Sequence, residues 1–311
     1  MHRSSVIAWG DMRKGTGFIV ILLSLNFLFA SETELIVLYS SNTNGLLENC
    51  LCPDHAYGAL EKRATVIDSL RKRHKNVLLL DAGDLLDIRK NTLLHSYIVR
   101  AYEIMKYDAF TCGDQDFVEG TDFFNNLGHN PKLPLVSSNI LQGTDILGLK
   151  YIIKTFGQLR VGIIGTINPG LYKYLNAEVQ KIFNFKEQVP ALQAVLEEIK
   201  TRCDFIILIS HSGYENDLKL AEQFPQIGLI IGGHSQTLLN EVERRGSTYS
   251  VQAGENGYRL GILSLQFEEK KPVNLKNKLI LLDLGIKNYP PIMELIQSYH
   301  QQILKQKHPR N

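Results

Sequence analysis

The sequence has no excess of charge of either sign, no apolar run long enough for an ordinary bilayer span, no internal repeat and few cysteines. Lys and Arg number 34 against 32 Asp and Glu, a formal net charge of +2, which leaves no electrostatic footprint for nucleic acid. The local basic clusters at 70–76 and 305–311 read as a solvated helix end and a chain terminus. With 44% hydrophobic and 21% charged residues over 311 positions, the chain is neither disordered nor fibrous and can bury a full core. No low-complexity linker interrupts it, so one compact domain is expected.

The longest apolar run, at 17–30, follows two basic residues and gives way to polar "SETE" after Ala30. That is the layout of a secretory signal peptide cleaved near Ala30, and the run is shorter than the ~20 residues of a spanning helix. Met12 would serve as an alternative start. No cysteine follows the run, which argues against a lipid anchor. The expected organisation is a signal peptide at 1–30, a main domain at 31–285, and a C-terminal helix with a basic tail at 286–311. The mature protein is expected to be periplasmic or secreted, with no stable membrane anchor and its cysteines in an oxidising compartment.

From residue 34, apolar runs of strand length at 35–40, 76–84, 109–114, 159–166, 204–213 and 228–235 alternate with amphipathic stretches at 58–73, 92–106, 120–128, 187–201 and 214–223. This spacing predicts an α/β fold with buried strands. After 245 the pattern turns to strands without helices, expected to be antiparallel and to close a second sheet. A final helix is expected over about 290–305, after the "YPP" break.

Several buried runs stop in a glycine turn carrying a side chain able to bind metal: Asp81 and Asp84 in "DAGD", Asp114 in "CGDQD", His211 in "SHSG" and His234 in "GGHSQ". One such residue is commonly a cap or turn residue. Four at the carboxyl ends of separate strands point to a common site, because ligands of open α/β sheets gather there.

The order and spelling of these motifs resemble the calcineurin-like metallophosphoesterases, and among them the exported 5'-nucleotidase branch, over roughly residues 33–268. The resemblance implies a four-layer α/β/β/α sandwich of mixed sheets with ligands at strand ends. It also implies a divalent cofactor, Zn, Mn or Fe, in one or two copies, and hydrolysis of a small phosphorylated substrate of the kind met in nucleotide catabolism. The branch reads D-x-H, G-D, G-N-H-E, H and G-G-H-S-x; here stand "NTN", "GD", "GDQD", "SHSG" and "GGHSQ". One metal site would use Asp84, Asp114, His211 and His234. The other would be weakened, because Asn42, Asn44 and Gln236 replace its charged or imidazole ligands. Gln115 stands where the family keeps a histidine that assists ester cleavage; an amide can donate a hydrogen bond to a phosphoryl oxygen but cannot transfer protons near neutral pH. Asp116, at the family's Glu, is expected to support the loop, and Val118 replaces the acid that pairs with that histidine in many relatives. Members with a nucleoside-gripping second domain are longer, so a nucleotide substrate is implied less firmly than the phosphoesterase fold.

Cys50 and Cys52 form a C-x-C within ten residues of the weakened site, with His55 close behind. Three readings stay open: a structural disulfide, a pairing with Cys112 or Cys203, or a thiolate metal or redox site on the phosphoesterase scaffold. Cys112 is expected near the strand ends and Cys203 at the far end of the sheet. Lys62 and Arg63, at a helix start, are expected to meet solvent.

Overall fold

The computed structural model describes residues 32–49 and 56–307. The expected signal peptide at 1–30, the C-x-C pair Cys50 and Cys52, His55 and the last four residues of the basic tail lie outside the described residues.

The elements run β1 (Thr33–Ser40), α1 (Leu60–Arg73), β2 (Val77–Asp81), α2 (Thr92–Met105), β3 (Ala109–Phe110), α3 (Thr121–Gly128), β4 (Ile140–Gln142), β5 (Asp145–Ile146), β6 (Ile152–Phe156) and β7 (Leu159–Ile167). They continue with α4 (Ala177–Ile182), β8 (Phe183–Phe185), α5 (Gln188–Ile199), β9 (Phe205–His211), α6 (Tyr214–Gln223), β10 (Leu229–Gly232), β11 (Glu243–Arg245), β12 (Thr248–Val251), β13 (Arg259–Glu268), β14 (Lys271–Leu281) and α7 (Pro290–Lys307).

Two mixed sheets are built in the orders β14-β13-β1-β2-β3 and β11-β12-β10-β9-β7-β6, with a small third sheet β5-β4-β8. Strand alternation explains why the large sheets stack. Leu35, Val37 and Tyr39 of β1 share one buried cluster with Val161, Ile163, Ile207 and Ile209 of the facing sheet. Ile36 and Leu38, on the other face of β1, pack with Leu60, Ile67, Ile98 and Ile292 from helices α1, α2 and α7. Ile206 and Leu208 of β9 likewise face Leu192, Leu196 and Leu220 of α5 and α6. Each sheet is apolar on both faces, hence the near-continuous hydrophobic runs and the α/β/β/α layering. Each fully buried aliphatic side chain in these layers contributes roughly 1.5–3 kcal/mol.

The strands after 245 depart from expectation. β12 joins the second sheet parallel to β10, whereas β13 and β14 form an antiparallel hairpin that extends the first sheet alongside β1. The alternation of apolar residues sets which face of a strand is buried but not which sheet receives it. The C-terminal helix α7 closes the helical layer: Tyr97 of α2 stacks against Tyr299 at 5.3 Å and bonds Ser298 at 2.9 Å. Among the described residues no helix is long and apolar enough to cross a membrane.

Candidate metal centre

The carboxyl ends of β1, β2, β3, β9 and β10 meet at one end of the two sheets, through the strand neighbours Ser40–Asp81, Asp81–Phe110 and Gly232–Ser210. The loops leaving these ends carry Asp84, Asp114, His211 and His234, each offering one ligand atom, and those atoms all lie within 4.8 Å of one another. The strand β3 is shorter than its apolar run suggests, because the chain turns at Cys112 and Gly113 to pass over the β2 loop. A Cβ on Gly113 would sit 2.0 Å from Asp84 Oδ1, and one on Gly83 would sit 2.6 Å from the Gly113 nitrogen. Only glycine permits that approach. Asn42, Asn44, Asp84, His234 and Gln236 all hold positive φ, from 49° to 69°. These are five of the ten positive-φ non-glycine residues among those described, and their clustering on the loops of one site points to function.

His211 is fully buried, and its Nδ1 donates to the Ala82 carbonyl at 2.7 Å. That bond fixes Nδ1 as the donor and leaves Nε2 as the ring position facing the carboxylates, protonated without an ion and a ligand lone pair once an ion displaces that proton. Nε2 lies 3.3 Å from Asp114 Oδ1 and 3.4 Å from Asp84 Oδ2, and His234 Nδ1 lies 3.2 Å from Asp114 Oδ1. Burial alone would favour a neutral His211, yet the carboxylates of Asp84 and Asp114 hold its pKa well above the ordinary value. Two carboxylates and an imidazole nitrogen converging on one point call for positive charge there, and the donor set of two carboxylates and two imidazoles fits a divalent transition metal. Asp84 and His211 are closed off from solvent, whereas the side chains of Asp114 and His234 remain 27% and 35% exposed. An ion here would keep an open face for a ligand.

Asp116 supports the loop as expected. Its Oδ2 accepts from the backbone nitrogens of Asp84 and Gly113, and its Oδ1 from that of Leu86. Burial, with the Asp84 charge behind it, pushes its pKa up to about 8.

Two of the three amides at the second position already have their oxygens in hydrogen bonds. Asn42 Oδ1 accepts from the His234 nitrogen at 3.0 Å while its Nδ2 donates to the Gly254 carbonyl at 2.9 Å. Asn44 Oδ1 accepts from Gln115 Nε2 at 3.2 Å and its Nδ2 donates to Asn256 Oδ1 at 3.0 Å. Gln236 is exposed. Gln115 gives its second amide proton to Asp84 Oδ2 at 2.8 Å. The orientation is chemically fixed, since a carboxylate accepts only. The donor expected for a phosphoryl oxygen is therefore turned onto Asn44 and Asp84.

Beneath this amide chain lies a feature that the sequence did not reveal. Arg63 is fully buried, and Lys62 nearly so, which corrects the expectation of solvent contact. Arg63 Nη1 donates to the hydroxyls of Tyr102 and Tyr107 at 2.9 and 3.2 Å, and Nη2 to Thr43 Oγ1 at 2.9 Å. Tyr102 passes its own proton to Asp81 Oδ2 at 3.1 Å, where Ser40 also donates. Burial pushes the Asp81 carboxyl up to about 6 against the opposing pull of Arg63 and Ser40. Arg63 thus grips Thr43, the residue between Asn42 and Asn44. Lys62 donates to the Ile286 carbonyl at 2.6 Å, tying α1 to the segment before α7.

Cys112 and Cys203 are free thiols. Cys112 is fully buried near the strand ends, and burial followed by the charges of Asp116 and Asp84 pushes its pKa well up, so it stays a protonated thiol. Cys203, half-buried, precedes β9 and lies at that strand's opposite end from His211.

The comparisons agree with this architecture. The chain is 29% identical over 306 residues to the snake venom 5'-nucleotidase of Naja atra, covering 83% of this chain and 55% of that protein. It superimposes on the 5'-nucleotidase precursor from Thermus thermophilus with a TM-score of 0.77 at 23% identity, covering 88% of this chain and 60% of that one. The calcineurin-like phosphoesterase YfkN from Bacillus subtilis matches with a TM-score of 0.76 at 20% identity, covering 88% of this chain and 99% of that one. The fold is that of the 5'-nucleotidases and calcineurin-like phosphoesterases, and the chain is a sequence relative of the former. It spans about half the length of the curated relatives it matches. A family model described as an alpha/beta hydrolase of unknown function (DUF1057) matches residues 144–236, under a third of the chain.

Proposed function

We propose that this chain is an exported, metal-dependent hydrolase of phosphate esters whose centre holds one divalent cation on Asp84, Asp114, His211 and His234. The reading is carried by the convergence of four ligand atoms from separate strand ends on one point that demands positive charge. Similarity to 5'-nucleotidases supports the reaction class, and the basic–apolar–small layout of residues 12–30 supports export.

A divalent cation at this point supplies Lewis-acid charge that acidifies a water and draws electrons from a phosphoryl oxygen. The chain's own groups set the geometry. The Ala82 carbonyl aims His211, Asp116 fixes the loop of Asp84, and Asn42 fixes the loop of His234. Gln115 steers Asp84 rather than moving a proton. The neutral amides of Asn42 and Asn44, their oxygens engaged in hydrogen bonds, support one cation rather than two, because a divalent ion favours charged oxygen or imidazole ligands. Two imidazoles beside two carboxylates suit Zn, Mn or Fe.

The test is elemental analysis of the untagged exported protein together with phosphate release from mononucleotides and glycerol phosphate. The expected result is one cation per chain, turnover abolished by chelation, and both lost in His211→Ala. Turnover that survives chelation, or an unaltered cation content in His211→Ala, would sink the proposal.

A further inference from the structure

Beside the centre lies an open cavity of about 190 Å³ lined in part by Asp114 and Gln115. Its remaining walls are Ile88, Phe117, Val118 and Leu175, with Asn176 as their one polar group. Asn176 is itself fixed, its Oδ1 capping α4 by accepting from the Val179 nitrogen. No cationic side chain lines the cavity among the described residues. Phe117 cannot serve as a stacking platform for a base, because it is 2% exposed and packed against Phe124 with ring centroids 3.7 Å apart.

Ile88 is 70% exposed at this rim, so its apolar surface is available to a group bound beside the centre. It is also held in place. Asp87 donates its N–H to His95 Nε2 at 3.3 Å, and Arg89 donates its N–H to Asp87 Oδ1 at 3.0 Å. His95 is in turn locked to buried Glu119 at 2.6 Å. The loop therefore presents Ile88 preorganised, which reduces the cost of binding against it. The hollow is open to solvent and mixed in character, with apolar surface from Ile88, Val118 and Leu175 facing the polar Asp114, Gln115 and Asn176; its volume suits a single ring or a branched alkyl group laid on the apolar side and is small for a whole nucleoside.

We propose that this cavity receives the carbon side of the substrate, and that the preferred esters are monophosphates of compact, uncharged, apolar alcohols, such as aryl phosphates, in preference to nucleotides. The inference rests on the phosphoesterase reading above. Val118 is the wall residue that makes the difference, since a carboxylate there would both repel the phosphoryl group and wet the cavity.

The experiment compares kcat/KM of the full chain for phenyl phosphate, AMP and glycerol 3-phosphate with Mn²⁺, in wild type and Ile88→Ser. Calorimetric affinities for phenylphosphonate and methylphosphonate are measured alongside. Expected is a preference of at least tenfold for phenyl phosphate over AMP and glycerol 3-phosphate, and a loss of about tenfold in that preference in Ile88→Ser. AMP turned over as well as phenyl phosphate, or Ile88→Ser slowing all three esters alike, would overturn the inference and leave the phosphoesterase reading standing. If no ester is turned over, that reading fails and the phosphonates decide. Tighter binding of phenylphosphonate, lost in Ile88→Ser, keeps the apolar cavity as a ligand site; equal affinities overturn it.

Discussion

The His234 N–H donates to Asn42 Oδ1 at 3.0 Å across 192 residues of sequence, while the Asn42 amide donates to the Gly254 carbonyl on its other side. Only a side chain that both accepts and donates satisfies the two. Asn42→Asp is expected to place a carboxylate against a carbonyl oxygen in a fully buried position and to cost about 2 kcal/mol of stability. Urea unfolding with chelator present measures this, and an unchanged midpoint would show that the amide is not the clamp described.

Gly113→Ala would drive a methyl group to 2.0 Å from Asp84 Oδ1 and 2.6 Å from His211 Cε1. The backbone must shift, taking two of the four ligands with it. Metal affinity is expected to fall at least 100-fold by calorimetric titration, with the far-UV spectrum retained.

Arg63 holds a full positive charge without solvent, relayed to Asp81 through tyrosine hydroxyls. Arg63→Met leaves the hydroxyls of Thr43, Tyr102 and Tyr107 short of a partner and buried Asp81 without its neighbouring positive charge, and is expected to cost about 3–5 kcal/mol. Arg63→Lys should recover little, since an ammonium cannot span Thr43 and both tyrosines as the guanidinium fork does. Full stability in Arg63→Lys would show that charge alone suffices.

The pH dependence has a readable component far from the metal centre. Hydrogen bonds from Arg160 hold the Asp204 carboxyl down at about 2, below its ordinary value near 4. A depressed folded-state pKa gives stability that is present above pH 4 and is lost as the pH falls towards 2. Asp204→Asn should therefore be less stable than wild type at pH 6, with the difference shrinking between pH 4 and 2 in equilibrium unfolding. A gap that widens on acidification would contradict the assignment.

The strand ends and the Asp and His side chains they bring together were legible because the signal is local: an apolar run, a glycine turn, then Asp or His. The helix limits near 92, 121, 188 and 214 were legible for the same reason. The burial of Arg63 was not, since its partners Thr43, Tyr102 and Tyr107 lie 20, 39 and 44 residues away and a basic residue at a helix start looks the same when solvated. The sheet membership of β12 to β14 and the small third sheet depend on pairings between distant strands, which apolar spacing does not encode.

The position of β1 bears on when this protein can fold. Ile36 to Ser40 pair on one side with β2, soon after in the sequence, while Thr33 to Tyr39 pair on the other with β13, in a register that joins Thr33 to Phe267 and Tyr39 to Gly261. Until some 230 residues more have been synthesised, the central strand of the first sheet has an open edge. Completion of that sheet thus waits on residues 259–268, so the first strand of the described fold gains its second partner only after both sheets' other parallel strands have been made.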